Sequence, residues 1–227
     1  MYAASLRQIL TDRGAARSVV LATNLRSGDE EILYPVEREG NPTLMDAAVG
    51  ATRADRSTTV ETDSGLVFLH VFNPPLRMIL VGAVHISQPL SRMAALTGYE
   101  VTVVDPRRAF ASEDRFPGVT LRNDWPDEAL TDLAPSMRTA VVALTHDPKL
   151  DDPALTVALR SAAFYIGALG SRKTHASRKE RMQSAGFNEE EFARIRGPVG
   201  LTIGARSPAE IAVSILAEIT QTLREVE

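Results

Sequence analysis

Four short stretches of this chain combine residue types that can hold or polarise a ligand. The first is Val81-Gly-Ala-Val-His-Ile-Ser87, which directly follows the apolar run Arg77 to Val81. Glycine at such a turn lets the backbone come close to a phosphate. A helix start behind it would add unpaired N–H groups and the positive end of a dipole. His85 stands in the same turn. Asp105 follows Gly82 by 23 residues and closes a second apolar run, where a carboxylate can accept from ribose hydroxyls. Two features depart from a dinucleotide fingerprint. Val84 stands where a second glycine is wanted, and a branched side chain resists positive φ. Pro89 lacks an N–H and falls close to the helix start, which places that start late, with Ser87 as its cap. Two readings of Gly82 and Asp105 stand side by side: a nucleotide grip, and a remnant of a fold that once had one.

The second stretch is Leu144-Thr-His-Asp147, again at the end of an apolar run. Thr145, His146 and Asp147 can bind a ligand or move a proton; equally, Asp147 can cap the next helix. The third is Gly167-Ala-Leu-Gly-Ser-Arg-Lys-Thr174. Gly167 and Gly170 followed by Ser171 and Arg172 make an anion cradle, with Arg172 able to clamp phosphate or carboxylate in two bonds. Arg178, Lys179 and Arg181 continue the basic run and read as a solvated helix face. The fourth, Arg196-Gly-Pro-Val-Gly-Leu-Thr-Ile-Gly204, reads mainly as a structural connection. His70 and His175 lack a partner at ligand spacing, and no metal motif is present.

The elements that must position these residues change character along the chain. Leu6, Ile9 and Leu10 stand at helical spacing, with Gly14 as a stop. Ser18 to Thr23 reads as a strand and Glu31 to Glu37 as a weaker one. Thr43 would cap a short helix. Thr58 to Glu61 and Leu66 to Phe72 read as a hairpin around Asp63-Ser-Gly65. Asn73-Pro-Pro75 breaks the pattern and marks a boundary. Beyond it, short apolar runs at Arg77–Val81, Glu100–Asp105, Val119–Leu121, Thr139–Leu144 and Phe164–Leu169 alternate with helical stretches. Asp127 to Leu133, Asp152 to Ser161 and Ser171 to Ala185 are helical. Asn188 caps a short helix, and Ser207-Pro-Ala-Glu210 opens the last one as a capping box. The expectation is a small α+β domain at residues 1–75 and a Rossmann-like α/β domain at 76–227, built on a doubly wound parallel sheet.

Composition narrows the classes. The 227 residues are 44% hydrophobic, enough for one large core or two small ones. A formal net charge of −4 argues against nucleic acid as a main partner. There is no cysteine, which removes disulfides, thiolate metal sites and a cysteine nucleophile. No apolar run reaches the ~18 residues of a membrane span, and the first ten residues do not read as a signal peptide. A soluble, cytoplasmic protein is expected.

The stretches together, in order, resemble the xanthine dehydrogenase accessory protein family (XdhC/CoxI type). The matching pieces are Gly82–His85, Val101–Asp105, Arg115–Pro117, Thr145–Asp147, Tyr165–Arg172, Pro198–Gly204 and Glu210–Ile219, spanning roughly residues 77 to 225. The resemblance implies a non-catalytic accessory protein. Such a protein binds the molybdenum cofactor (molybdopterin) and helps insert it into a partner molybdoenzyme like xanthine dehydrogenase or carbon monoxide dehydrogenase; a homodimer is compatible with this. The Ser-Gly-Gly-Cys-like segment usual in the family's N-terminal domain has no counterpart here. Two other readings remain open on the residues alone. One is an NAD(P)-dependent oxidoreductase with Asp105 selecting NAD and His146 donating a proton. The other is an assembly scaffold with a degenerate pocket.

Overall fold

The computed structural model of the chain describes residues 1–224. It divides into two compact units, with the division between Pro74 and Pro75. In the first unit, helix α1 (Ala3–Gly14) precedes strands β1 (Val19–Asn24) and β2 (Glu30–Leu33). Helix α2 (Pro42–Ala54) leads to the hairpin β3 (Thr58–Thr62) and β4 (Gly65–Phe72). The four strands form an antiparallel sheet in the order β2-β1-β4-β3. Strand alternation divides its two faces. Val20 and Ala22 pack with Leu44 and Ala48 of α2, whereas Val19 and Leu21 pack with Ile9 of α1. Two local expectations change here. Leu6 and Leu10 are exposed, and α1 buries Ile9 and Asp12 instead, so its apolar contact is a single residue. The cap of α2 is Asn41, whose Oδ1 accepts from the Thr43 N–H at 3.0 Å, with Pro42 at the first helical position.

The second unit begins with β5 (Leu76–Val81), α3 (Ser87–Leu96), β6 (Tyr99–Val104) and β7 (Thr120–Arg122). It continues with α4 (Pro126–Leu133), β8 (Thr139–Ala143), α5 (Pro148–Arg160) and β9 (Tyr165–Ala168). It closes with α6 (Arg172–Ser184), α7 (Glu189–Ala193), β10 (Ile195–Arg196) and α8 (Pro208–Arg224). The sheet order is β10-β9-β8-β5-β6-β7, and every neighbouring pair is parallel. The chain therefore winds outward one way from β5 and then, at β8, reverses. This is the doubly wound Rossmann order, and it opens a crevice between the C-terminal ends of β5 and β8.

Both faces of the sheet are covered, which is why its strands are continuous apolar runs rather than alternating ones. Met78, Leu80, Val101, Val103, Ala140 and Val142 face Leu90 of α3 and Ile215 and Ile219 of α8. Ile79, Val81, Val104, Val141 and Ala143 face Leu130 of α4 and Ala154, Leu155 and Ala158 of α5. Two sequence expectations shift by a few residues, and one strand was not foreseen. Helix α3 starts at Ser87, which is its first residue rather than its cap. Helix α5 starts at Pro148 rather than Asp152, because Asp147 caps it through the Lys149 N–H at 3.0 Å and Pro148 presets its first turn. Strand β10 has two residues, too few to leave a periodic signal. Among the described residues, no helix is long and apolar enough to cross a membrane.

Candidate functional site

The glycine turn after β5 meets both the end of β6 and the loop after β8. Gly82 sits at φ +109°, and its N–H donates to the Val104 carbonyl at 2.8 Å. A Cβ there would lie 2.6 Å from Thr145 Cγ2 and 3.3 Å from the Thr145 nitrogen. Glycine is thus required by the close approach of the β8 loop across the crevice, in addition to its backbone angle. The Ala83 N–H donates to Asp105 Oδ2 at 2.8 Å, and the Ser87 hydroxyl donates to the Gly82 carbonyl at 2.5 Å. Val84 is half-buried against the core and His85 is exposed.

Asp105, just after β6, is fully buried, and both of its oxygens are in use. Oδ2 accepts from Ala83 N and from Arg107 Nη2 at 2.8 Å. Oδ1 accepts from Arg107 N and Arg107 Nε, each at 2.9 Å. Burial pushes the Asp105 carboxyl pKa up, but the Arg107 guanidinium and the two backbone N–H donors outweigh it, so the net shift is downward. Arg107 is held protonated by the same hydrogen bonds, and by Asp105, Asp147 and Asp151 in its field. Its guanidinium lies 4.8 Å from the centroid of Phe110. Arg107 carries this arrangement and was not singled out from the sequence. An arginine two residues past a strand-end aspartate is the signal that could have found it.

The β8 loop is organised from beneath. The Thr145 N–H and hydroxyl both donate to Asp151 Oδ1, at 3.2 and 2.6 Å, and the Asp147 N–H donates to Thr145 Oγ1 at 3.1 Å. His146 is exposed at the tip with φ +61°. Asp151 is buried in the first turn of α5, and desolvation raises its pKa despite the Thr145 bonds and Arg178. Arg178 of α6 is also buried. Its Nη2 donates to the Leu169 carbonyl at 2.9 Å and lies 3.8 Å from Asp151 Oδ2. Arg178 is therefore no solvated face; it joins the β8 and β9 loops from below, and burial lowers its pKa.

The β9 loop supplies the cationic lip. Gly170 has φ +145° and approaches Thr174, where a Cβ would meet the side chain at 3.0 Å. Ser171 caps α6, its hydroxyl accepting from Thr174 N at 3.1 Å. That leaves the two preceding N–H groups of the first turn without intrahelical partners, as at any helix start. Arg172 is exposed, and among the described residues its side chain has no hydrogen-bond or ion-pair partner. Gly167 plays a different part. It is buried in β9, and a Cβ there would strike Val199 Cγ2 at 2.6 Å and Tyr165 Cε1 at 2.8 Å. Gly82, Asp105, Thr145, His146, Asp147, Gly170, Ser171 and Arg172 thus all follow the C-terminal ends of strands on one sheet edge, where doubly wound sheets take ligands.

Two cavities lie away from this edge. One of about 460 Å³ is lined by Asp29, Glu30 and Asp63 in the first unit, and one of about 500 Å³ by Arg77, Tyr99 and Glu100 at the opposite end of the strands. No group of three or more His, Asp or Glu among the described residues is arranged to hold a metal.

A parallel sheet in the order described, with a glycine turn after its first strand and an acid after its second, defines a Rossmann-type domain. Residues 78–219 match the family described as the XdhC Rossmann domain, and the chain belongs to that family. It is 36% identical over 161 residues to a protein from Bacillus subtilis named as a probable xanthine dehydrogenase subunit, covering 70% of this chain and 47% of that one. It is 34% identical over 150 residues to "Molybdenum cofactor insertion chaperone PaoD" from Escherichia coli, covering 65% and 40%. A crystal structure of a xanthine dehydrogenase from Bacillus halodurans superposes with a TM-score of 0.72 at 25% identity, over 97% of this chain and 67% of that one. The chain spans less than half the length of these two curated relatives.

Proposed function

We propose that this chain is an accessory protein that holds the molybdenum cofactor as cargo and helps load it into a molybdoenzyme of the xanthine dehydrogenase class, without catalysing a reaction itself. The observation that carries this reading is the 34% identity to a relative named as a molybdenum cofactor insertion chaperone. The crevice chemistry supports it. A pterin bearing a phosphate needs an anion cradle and hydrogen-bonding groups for a polar ring. Ser171, Arg172 and the free N–H groups of α6 suit the first, and the Thr145–Asp147 loop suits the second. With no cysteine in the chain, no thiolate of its own can hold the metal or its sulfur. The oxidoreductase reading gains no support, because the carboxylate that would grip a ribose is already saturated.

The test is a fluorescence titration of the purified chain with molybdopterin, beside a measure of molybdenum in the partner enzyme. Arg172→Ala is expected to weaken binding by about ten- to a hundredfold, the loss of a charge-assisted contact. The reading is overturned if the wild-type chain binds no pterin and the enzyme is fully loaded in its absence.

A further inference from the structure

The Asp105–Arg107 pair decides what the crevice can accept, and it does so at the pole where this fold usually reads a ribose. In a doubly wound sheet the acid ending the second strand accepts from the ribose hydroxyls of a dinucleotide. Here that acid is present but its lone pairs face inward. Four donors converge on it: the Ala83 N–H, the Arg107 N–H, and Arg107 Nε and Nη2. The carboxylate is fully buried, so a ribose hydroxyl reaches it only after the guanidinium leaves.

Departure is opposed from several sides. The guanidinium–carboxylate pair joins two opposite charges through two parallel bonds, whereas a ribose hydroxyl would bring a single bond and no charge. The guanidinium also rests on the Phe110 ring. Phe110 is itself fixed, because Arg115 Nη1 donates to its carbonyl at 2.5 Å, and with the Gln88 amide turned so that its oxygen faces the guanidinium, Arg115 Nε and Nη2 donate to Gln88 in the first turn of α3 at 2.7 and 3.0 Å. The loop after β6 is thereby stitched to the helix that follows the glycine turn.

We propose that Arg107 is a specificity-determining residue of the crevice: by saturating Asp105 it closes the ribose-reading pole, and so excludes a dinucleotide that would be held there by its ribose hydroxyls.

The test uses the full chain and two probes, NAD⁺ and neopterin monophosphate, titrated by calorimetry. Val84 occupies the position of the second glycine in a dinucleotide fingerprint, so the NAD⁺ measurements are made with Val84→Gly present throughout. In that background, Arg107→Ala is expected to raise NAD⁺ affinity by about ten- to a hundredfold, the return of hydrogen bonds to a charged acceptor. Adding Asp105→Asn should abolish the gain. Arg107→Gln, which removes the bidentate grip while keeping a polar side chain, should show a smaller gain and serves if the alanine variant does not fold. The proposal is overturned if folded Arg107 variants bind NAD⁺ no better than their parent, or if the parent already binds it as tightly. The two readings separate cleanly. A gain in NAD⁺ affinity with no pterin binding by any variant sustains the role of Arg107 and removes the cofactor reading. Pterin binding without the gain does the reverse.

Discussion

Asp105 and Asp151 are both buried aspartates at the same sheet edge, yet their surroundings push them in opposite directions. Asp105 has four donors and a lowered pKa; Asp151 has two donors on one oxygen, Arg178 at 3.8 Å from the other, and a raised one. The consequence for stability has opposite sign. A lowered carboxyl contributes stability that is complete above its unfolded value, near ~3.9, and is lost as pH falls through the folded value. A raised carboxyl carries a penalty at neutral pH that disappears on protonation. Asp105→Asn is therefore expected to destabilise the protein by about 2–4 kcal/mol at pH 7, by leaving Arg107 and one backbone donor underpaired. The deficit should shrink as pH falls below 4. Urea unfolding of both proteins between pH 3 and pH 7 (roughly the span over which an aspartate titrates) checks this. A deficit independent of pH would show that Asp105 matters for shape and not for charge.

At the scale of elements, helix α8 is tied to the sheet by one short network. The Tyr165 hydroxyl on β9 donates to Glu218 Oε2 at 2.5 Å, and the same oxygen accepts from the Gly200 N–H at 2.8 Å. Burial, then Glu218, raises the Tyr165 pKa far above the ordinary tyrosine value, so the phenol remains a donor. Tyr165→Phe removes one bond and leaves the rest of the packing. A loss of about 1–2 kcal/mol is expected, seen as a Tm drop of roughly 2–8 °C by calorimetry. An unchanged Tm would mean that apolar contacts alone dock α8. This network also shows where sequence legibility ends. Strands β5, β6 and β8 were readable because burial on both faces makes them continuous apolar runs, and α8 because Ser207 and Glu210 spell a capping box. The edge carrying Gly82, Thr145 and Arg172 was readable from the strand ends. Polar pairings between elements were not: nothing local in the sequence says that Tyr165 meets Glu218 or that Arg178 turns inward to Leu169. Those depend on which loops the topology makes neighbours.

At the scale of the molecule, each unit has its own hydrophobic core, the first around Val20, Leu33 and Leu69 and the second around Leu80, Val103 and Ile215. We expect residues 75–227 expressed alone to unfold in a single cooperative transition, within a few degrees of the corresponding transition in the full chain. Circular dichroism melts decide it, and a fragment without a cooperative transition would refute the independence of the second unit.

The six-stranded sheet ends in β7 and β10, strands of three and two residues. Beyond the central strands, very little backbone is left with its hydrogen-bonding groups facing outward. Such short margins give a foreign strand almost nothing to pair with, which is one way that sheets avoid growing into one another. Any self-association of the second unit, or any grip on a partner enzyme, is accordingly expected to run through helix faces and loop side chains, leaving the sheet itself sealed from aggregation.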